Sequence, residues 1–374
     1  MKIKRVKAVG LIRRENTVEG VFSPDLNILT GRNGAGKTTL LKLIWYIISG
    51  NIFEALKEVN FRSINIETDD YNCTVIRTSK FTCKVELDTP SDGLCTYEDS
   101  EEEDGVTNYS AEDLANPVLS SHGSSLFFPT FRRLEGGFSL TRSRPMARRS
   151  GPTKTDIEEA LTSLSRRLSN DPHNFISSIS TVDIVNVILQ KFGELSSLSN
   201  DYQQKTGEDI ISQIRAYKAD TASDNTEEIR NANSLIDDIK SKIEVMEQNR
   251  KKIMLPIEAI RHQVQNLFKH SGITLDSKFT FGDAANAINS DALSAGEKQM
   301  LSFISYNAFY ENSIIIIDEP ELSLHVDWQR QLFPILLNQQ STNQFIIATH
   351  SPFIYGKYPE KEISVDPDKG DNEE

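Results

Sequence analysis

The chain has 374 residues, of which 38% are hydrophobic and 25% charged, and its formal net charge is −13 at pH 7. This length and composition predict a soluble globular protein with one large core and a second lobe. The negative charge excludes nucleic-acid binding over the whole surface, because phosphate contacts need a basic face. The sequence has no membrane-length apolar run, no secretory signal at its start and no C-x-x-C pair among its cysteines. We therefore expect a cytoplasmic protein without disulfides, zinc or membrane contact.

The first ninety residues are predicted to form strands and turns around one helix. Residues 3–11 alternate in hydropathy, and residues 26–30 form a short apolar run. From Thr38 the apolar spacing becomes helical. Residues 61–88 alternate again, as antiparallel strands do, and residues 125–129 are a further short strand.

Two charged segments lie in the first half of the chain. Residues 98–104 are acidic and are predicted to form a mobile loop. Residues 131–154 carry seven basic side chains against one acidic side chain, so they are a candidate local DNA patch. Solvated loop charge is the simpler interpretation of both segments.

From about Asp156 glycine and proline become scarce and the apolar period becomes helical. Between Ile229 and Leu267, eleven of twelve heptad a and d positions are apolar, which predicts a seam for a partner helix. These positions are Ile229, Ala232, Ile236, Ile239, Ile243, Met246, Arg250, Ile253, Ile257, Ile260, Val264 and Leu267. A continuous helix of this length would extend roughly 58 Å, with a kink expected at Pro256. A partner within residues 156–218 would make a folded-back arm, and a bundle of shorter helices is the alternative.

After Ser271 the chain returns to alternating strands and helices. Residues 313–318 and 344–349 are short and almost wholly apolar, as parallel strands covered on both faces are. We therefore predict an α/β head, with a mixed sheet, that is split by a long helical insertion. The predicted parts are residues 1–152 and 271–374 for the two halves of the head, and 153–270 for the insertion.

The segment from Gly31 to Thr38, GRNGAGKT, fits the phosphate-binding loop G-x-x-x-x-G-K-[ST]. Glycines let backbone N–H groups face one concavity, and the following helix adds its positive end. Lys37 is expected to reach the β and γ phosphates of ATP, and the Thr38 hydroxyl to ligate Mg²⁺. The predicted nucleotide-binding residues are Gly31, Asn33, Gly34, Ala35, Gly36, Lys37, Thr38 and Thr39.

Two acids end the β-branched run at 314–317. Ligands of parallel sheets bind at the carboxyl ends of the strands, which is where Asp318 and Glu319 stand. Asp318 is predicted to hold Mg²⁺ together with Thr38, and Glu319 to act as general base toward the attacking water. A buried strand followed by a helix-capping acid is the plain structural alternative.

The segment LSAGEKQ at 293–299 resembles the signature sequence of ABC-type ATPases, with alanine where many members have glycine. That resemblance implies that Ser294, Gly296 and Glu297 face the ATP bound by a second copy, so that a homodimer sandwiches two ATP molecules. It also implies that residues 322–325 cross the dimer interface and that His350, at a strand end, is the catalytic switch histidine. Assembly into higher oligomers is a further expectation.

Within ABC-type ATPases the chain resembles the OLD family (AAA_15- and AAA_21-like). The resemblance is carried by Ser351-Pro352 after the histidine, by SLH at 323–325 and by FPTFRRLEGG at 128–137. The ATPase subunits of the PARIS anti-phage systems are the subgroup it resembles most. OLD nucleases carry a TOPRIM domain after this histidine, but only 24 residues follow His350 here.

The resemblance implies an ATPase that senses infection and controls a separate effector protein, a TOPRIM- or DUF4435-like or other nuclease, with a phage protein as trigger. The family's glutamine-bearing loop has no glutamine here, and Thr130 or Arg132 occupies that region. A DNA-repair or chromosome-maintenance ATPase that binds DNA directly is the alternative. A transporter motor is disfavoured, since more than 250 residues separate Thr38 from Ser294.

Overall fold

The computed structural model describes residues 1–11, 17–99, 110–130, 133–134, 156–179, 181–217, 225–270, 294–339 and 341–366. The chain divides into two compact units. One comprises Met1–Thr181 together with Asp291–Glu374, and the other is Val182–Ser290.

An antiparallel sheet with strand order β2-β1-β4-β5-β6-β7 belongs to the first unit. Its strands are β1 (Ile3–Val9), β2 (Thr17–Val21), β4 (Ser63–Thr68), β5 (Asn72–Arg77), β6 (Cys83–Thr89) and β7 (Gly93–Glu98). Every second residue of β4 and β6 is buried, because one face of the sheet packs on the core. The alternation at 61–88 therefore predicted these strands correctly.

A parallel sheet with the order β10-β8-β12-β13-β3-β14 lies in the same unit. Its strands are β3 (Leu26–Thr30), β8 (Ser125–Phe128), β10 (His173–Phe175), β12 (Ile314–Asp318), β13 (Gln344–Ala348) and β14 (Glu362–Ser364). Each residue of β3, β8, β12 and β13 is buried, which explains their continuous apolar sequences. Two shorter strands, β9 (Arg133–Leu134) and β11 (Ser178–Ile179), pair with each other in parallel.

The predicted α/β class is confirmed, and the structure adds that parallel and antiparallel strands occupy separate sheets. The side chain of Gln344 joins the two sheets, since it accepts from the Ile3 N–H and donates to the Ile3 carbonyl, both at 2.8 Å. The sequence placed residues from 153 onward in the insertion. The structure places 156–181 in the first unit, because β10 extends the parallel sheet by pairing with β8.

The helices of the described chain are α1 (Lys37–Ile48), α2 (Ile52–Glu58), α3 (Ala111–Ser120), α4 (Asp156–Leu168), α5 (Thr181–Ala216), α6 (Asn225–His270), α7 (Ala295–Phe309), α8 (Val326–Asn338) and α9 (Pro352–Tyr355). Helix α1 is buried almost all round, and its residues share one hydrophobic cluster with strands of both sheets. Burial on all sides explains why its sequence is apolar beyond a single stripe.

The second unit contains most of α5 and all of α6, which run antiparallel. Lys242 of α6 pairs with Asp209 of α5. About two helical turns later on α6, Asn249 donates to the hydroxyl of Tyr202 on α5 at 2.7 Å. Higher numbers on α6 therefore meet lower numbers on α5. The partner of α6 is thus a helix that falls mainly within the predicted range of 156–218.

The predicted a/d seam of α6 is shifted in the structure. The a-position residues Ile236 and Ile243 are 49% and 43% exposed, whereas the d-position residues Ile239 and Met246 are half-buried. The position just before each a residue is turned inward instead, and there Lys242 and Asn249 make the bonds to α5. Polar contacts between the helices thus displace part of the isoleucine row toward solvent. Helix α6 continues through Pro256.

In the described part of the chain, no helix combines the length and the hydropathy that a membrane span requires. Residues 100–104 of the acidic segment lie outside the described residues. The same is true of Leu293 and of the basic segment 131–154 except for the strand at 133–134.

Candidate functional site

The loop from Gly31 to Gly36 connects β3 to α1 at the carboxyl edge of the parallel sheet. Its three glycines have φ angles of 147°, 80° and 94°, a backbone region that side chains with a Cβ rarely adopt. The Ala35 N–H donates to the Arg32 carbonyl at 3.1 Å, and Gly36 is the N-cap of α1. Asn33 and Gly34 are exposed at the outer turn, while Thr38 and Thr39 begin the helix half-buried.

The side chain of Lys37 lies inside this loop and is only 5% exposed. Its Nζ donates to the carbonyls of Gly31 at 3.0 Å and Arg32 at 3.2 Å, and lies 2.8 Å from His350 Nε2. Burial lowers the pKa of Lys37, while Glu319, Asp318 and Glu321 act to raise it. A buried cation at a helix N-terminus favours a phosphate group, and the nearby carboxylates call for a divalent cation beside it.

Asp318 ends β12 with its carboxylate among hydroxyl groups. The Thr38 hydroxyl donates to Oδ1 at 3.0 Å, and the Thr130 hydroxyl donates to Oδ2. Asp318 and Thr38 are 280 positions apart, and they come together because β13 pairs with β12 on one side and with β3, which leads into the loop before Thr38, on the other. The structure thus places the two predicted metal ligands in direct contact and puts Thr130 beside them.

Glu319 has a φ angle of +46°, in the left-handed region that is costly for a residue with a side chain. Its N–H donates to the Ala348 carbonyl at 2.8 Å, which holds the strained backbone at the end of the sheet. Strain of this kind is maintained only where the surroundings enforce it, and it concentrates at functional sites. The side chain is half-buried and lies next to the predicted histidine.

His350 follows β13, with Nε2 at 2.8 Å from Lys37 Nζ and 3.8 Å from Glu319 Oε1. A charged lysine has only donors, so Nε2 accepts this bond and the ring proton is on Nδ1. Sequence reasoning predicted that Lys37, Asp318, Glu319 and His350 belong to one site, and in the structure they lie together.

The signature residues Ser294, Gly296 and Glu297 begin α7, and each has a structural reason within its own chain. Ser294 is the N-cap, and its Oγ accepts a hydrogen bond from the Glu297 N–H at 3.3 Å. In return, the Glu297 carboxylate accepts a hydrogen bond from the Ser294 N–H at 2.8 Å. This reciprocal pair is a capping box. A Cβ at Gly296 would lie 2.5 Å from the Ser323 carbonyl, so a glycine lets α7 approach the 320–324 loop. Their role toward a second copy remains a prediction.

Three functional candidates that sequence reasoning missed lie in the loop after Glu319 or bond to it. Glu321 accepts the His350 N–H, Gln329 bonds both Ser351 and Leu324, and Gln299 of α7 donates to the Pro320 carbonyl at 3.0 Å. The only sequence feature that pointed to Glu321 was its position two residues after Glu319. No sequence feature distinguished Gln299 and Gln329 from other glutamines within helices.

These residues fit an ATP–Mg²⁺ complex. Thr38 and Asp318 offer oxygen atoms, which Mg²⁺ prefers, and Mg²⁺ usually takes one or two protein ligands and completes its shell with water and phosphate. Among the described residues no group of three or more His, Cys, Asp or Glu could hold a metal alone.

A phosphate-binding loop next to two strand-end acids on a parallel sheet defines an ATPase domain of the AAA/ABC type. The chain belongs to the family described as "AAA domain, putative AbiEii toxin, Type IV TA system", which matches residues 98–355.

Among curated proteins, the chain is 33% identical over 86 residues to "Retron Vc95 probable ATPase" of Vibrio cholerae serotype O1 biovar El Tor, covering 20% of this chain and 17% of that protein. It is 37% identical over 73 residues to "Retron Ec83 probable ATPase" of Escherichia coli, covering 16% and 14%. It is 41% identical over 63 residues to "Endonuclease GajA" of Bacillus cereus (strain VD045), covering 15% and 11%. The chain thus spans between 11% and 17% of the length of these relatives.

Solved structures similar to the chain include Smc head domains. The Pyrococcus furiosus head, bound to the C-terminal domain of ScpA, has a TM-score of 0.37 at 12% identity and covers 95% of this chain and 91% of its own. The Thermotoga maritima head has a TM-score of 0.36 at 12% identity, covering 95% and 92%. Superpositions of this quality support no inference about activity.

Proposed function

We propose that the protein binds and hydrolyses ATP with Mg²⁺ at the site formed by Lys37, Thr38, Asp318, Glu319 and His350. The observation that carries the proposal is that Lys37 meets His350, and Thr38 meets Asp318, at one edge of the parallel sheet. A fold without this chemistry has no need to bury a lysine against backbone carbonyls beside three carboxylates.

The roles follow from the donors and acceptors in place. Lys37 and the loop N–H groups bind the phosphates, and Thr38 and Asp318 hold Mg²⁺, which neutralises phosphate charge when bound. Glu319 takes a proton from water. His350, whose Nε2 accepts from Lys37, orients groups next to Glu319.

The site is completed in our proposal by Ser294, Gly296 and Glu297 of a second copy, so that the homodimer encloses two ATP molecules. The capping box leaves Ser294 at the start of α7, exposed at the surface. The helix N-terminus adds partial positive charge that favours a phosphate.

Mixing Lys37→Ala chains with Ser294→Arg chains tests this shared site. Each variant alone should be inactive, and the mixture should recover about a quarter of wild-type ATPase activity. The reason is that half of the dimers formed at random are mixed, and each mixed dimer keeps one intact site of two. Phosphate release measured after subunit exchange gives the result.

A chain with both substitutions, mixed with wild type, is the matched control. Its mixed dimers contain the same four residues, but neither site is intact, so only the wild-type homodimers should be active. These are about a quarter of the dimers, so a shared site predicts about a quarter of wild-type activity, whereas sites complete within each chain predict about a half. No recovery in the first mixture together with about half of wild-type activity in the control, with heterodimers demonstrated by mass spectrometry, would rule out a site shared between chains.

In the cell we propose that the protein acts as a sensor and regulator in anti-phage defence, in the manner of the ATPase subunit of PARIS systems. Support comes from the toxin–antitoxin wording of its family and from its similarity to retron ATPases. In this proposal it is cytoplasmic, a phage protein triggers it, and its effector is a separate TOPRIM- or DUF4435-like or other nuclease. A neighbouring gene that encodes a nuclease, and whose loss abolishes protection, is the first expectation to check.

The protein itself is expected to cut neither DNA nor RNA. Phosphodiester hydrolysis needs a metal site beyond that of ATP, and within the described residues no such carboxylate or histidine group exists. Purified protein with Mg²⁺ or Mn²⁺ and plasmid DNA should leave the plasmid intact while it hydrolyses ATP. The similarity to an endonuclease covers 11% of that protein and makes the assay necessary. Cleavage that a point substitution in this chain abolishes would overturn the separate-effector proposal.

A further inference from the structure

Two side chains connect the loop that carries His350 with the loop that follows Glu319. The switch loop is Thr349–Ser351, and the post-strand loop is residues 319–325. The carboxylate of Glu321 accepts the backbone N–H of His350 at 2.7 Å. Gln329, on α8, accepts from the Ser351 hydroxyl at 2.6 Å and donates to the Leu324 carbonyl at 2.8 Å. Both bridges span the two loops, so a displacement of one loop is transmitted to the other.

The position of the His350 ring needs such support. Its side chain is 35% exposed, and the contacts of the ring run to Lys37 and Glu319. An ammonium group has three N–H donors, and Lys37 uses them on Gly31, Arg32 and His350. A phosphate bound by Lys37 must therefore replace at least one of these partners. If His350 is the partner that is replaced, the bond from its backbone to Glu321 still fixes where the ring can lie.

Glu321 also contributes charge at this place. Burial lowers the pKa of Lys37, and Glu321 is one of three carboxylates whose charge opposes that lowering, after Glu319 and Asp318. Its Oε1 makes the bond to His350, and its Oε2 is buried without a partner among the described residues. A buried carboxylate oxygen without a donor is costly to the folded state.

We propose that Glu321 is a positioning residue for ATP hydrolysis: it holds the backbone of His350 so that the imidazole stays beside Lys37 and Glu319, and Gln329 completes the same clamp. The proposal rests on the proposed ATPase function. It adds two residues that do not touch the substrate and act through His350.

Kinetics of Glu321→Ala and Glu321→Gln give the first test. The alanine variant should lose about tenfold or more in kcat, the size expected when a hydrogen bond to a charged group is removed, with the Kd for ATP within about threefold. The glutamine variant still accepts the His350 N–H and should keep most of the activity. When His350 is already replaced by alanine, Glu321→Ala should lower kcat by less than about twofold further. The reason is that the effects of two residues are not additive when one acts through the other. Gln329→Met should show the same dependence on His350.

A measurement that does not depend on hydrolysis separates this proposal from the ATPase proposal. Selective ¹⁵N-histidine labelling gives six backbone amide signals, one for each histidine, and His350→Ala identifies the relevant one. Loss of a short bond to a carboxylate should move the His350 amide proton upfield in Glu321→Ala and leave it nearly in place in Glu321→Gln.

The outcomes are distinguishable. An unmoved amide signal, an equal loss of kcat with and without His350, or a glutamine variant as impaired as the alanine variant would overturn the role of Glu321 while Lys37-dependent hydrolysis stands. Wild-type protein without Lys37-dependent hydrolysis would overturn both proposals. Should Glu321→Ala fail to fold, Gln329→Met carries the kinetic test, and its failure to depend on His350 counts against the clamp.

Discussion

Lys37→Ala is expected to weaken ATP binding by about 100-fold. Two hydrogen bonds from a cation to phosphate contribute about 1.5 kcal/mol or more each, and alanine removes both. The loop around the lysine is formed by glycine backbone conformations and by a bond between Ala35 and Arg32, so it should survive the substitution. Titration with Mg²⁺ and a fluorescent ATP analogue measures the effect directly.

Lys42→Ala is the matched control for this substitution. Lys42 is on the same helix, but its amine pairs with Glu58 at 3.5 Å rather than lying in the loop. Its replacement should leave the Kd for ATP unchanged. Binding by Lys37→Ala within a few-fold of wild type, with unchanged thermal unfolding, would mean that this loop does not bind phosphate.

Glu319→Gln is expected to lower kcat by about 100-fold or more while ATP binding is preserved. An amide cannot accept the proton of the attacking water, and general-base catalysis contributes at least this much. Glutamine has the same shape and the same backbone cost at φ +46°, so the strained strand end is not altered. Binding without hydrolysis should also accumulate an ATP-bound dimer, visible by size-exclusion chromatography with ATP and Mg²⁺.

Glu311→Gln makes the same chemical change at an exposed residue three positions before the same strand begins. It should have wild-type turnover. Hydrolysis at the wild-type rate by Glu319→Gln would show that Glu319 is not the general base. His350 or solvent water would then be the candidate acceptor of the proton.

In the loop after β8, where the family's glutamine is expected, a threonine contacts Asp318. Thr130 stands in that region and donates to Asp318, on the side opposite Thr38. A hydroxyl there can orient the carboxylate of Asp318. The sequence left Thr130 and Arg132 as equal candidates, and Arg132 lies outside the described residues.

The sequence alone determined those features whose signal lies within a few neighbouring residues. The phosphate-binding loop needs glycine at fixed places, and the buried strands β3, β12 and β13 need unbroken apolar runs, so both were predicted with nearly correct bounds. The strand-end acids followed from their position after such a run. These inferences succeed because the local backbone and its burial restrict which residue types can stand there.

Tertiary structure alone decided which distant residues meet. Lys37 and His350 are 313 positions apart, and the clamp by Glu321 and Gln329 appears only when β12 and β13 pair. The division of the chain near residue 181 depends on the pairing of β10 with β8, since helical periodicity is the same inside and outside the insertion. The seam of α6 likewise depends on its partner, because Lys242 and Asn249 bond to α5 and turn Ile236 and Ile243 outward. A heptad pattern shows which face of a helix is apolar, whereas contacts with the partner helix determine which face is buried.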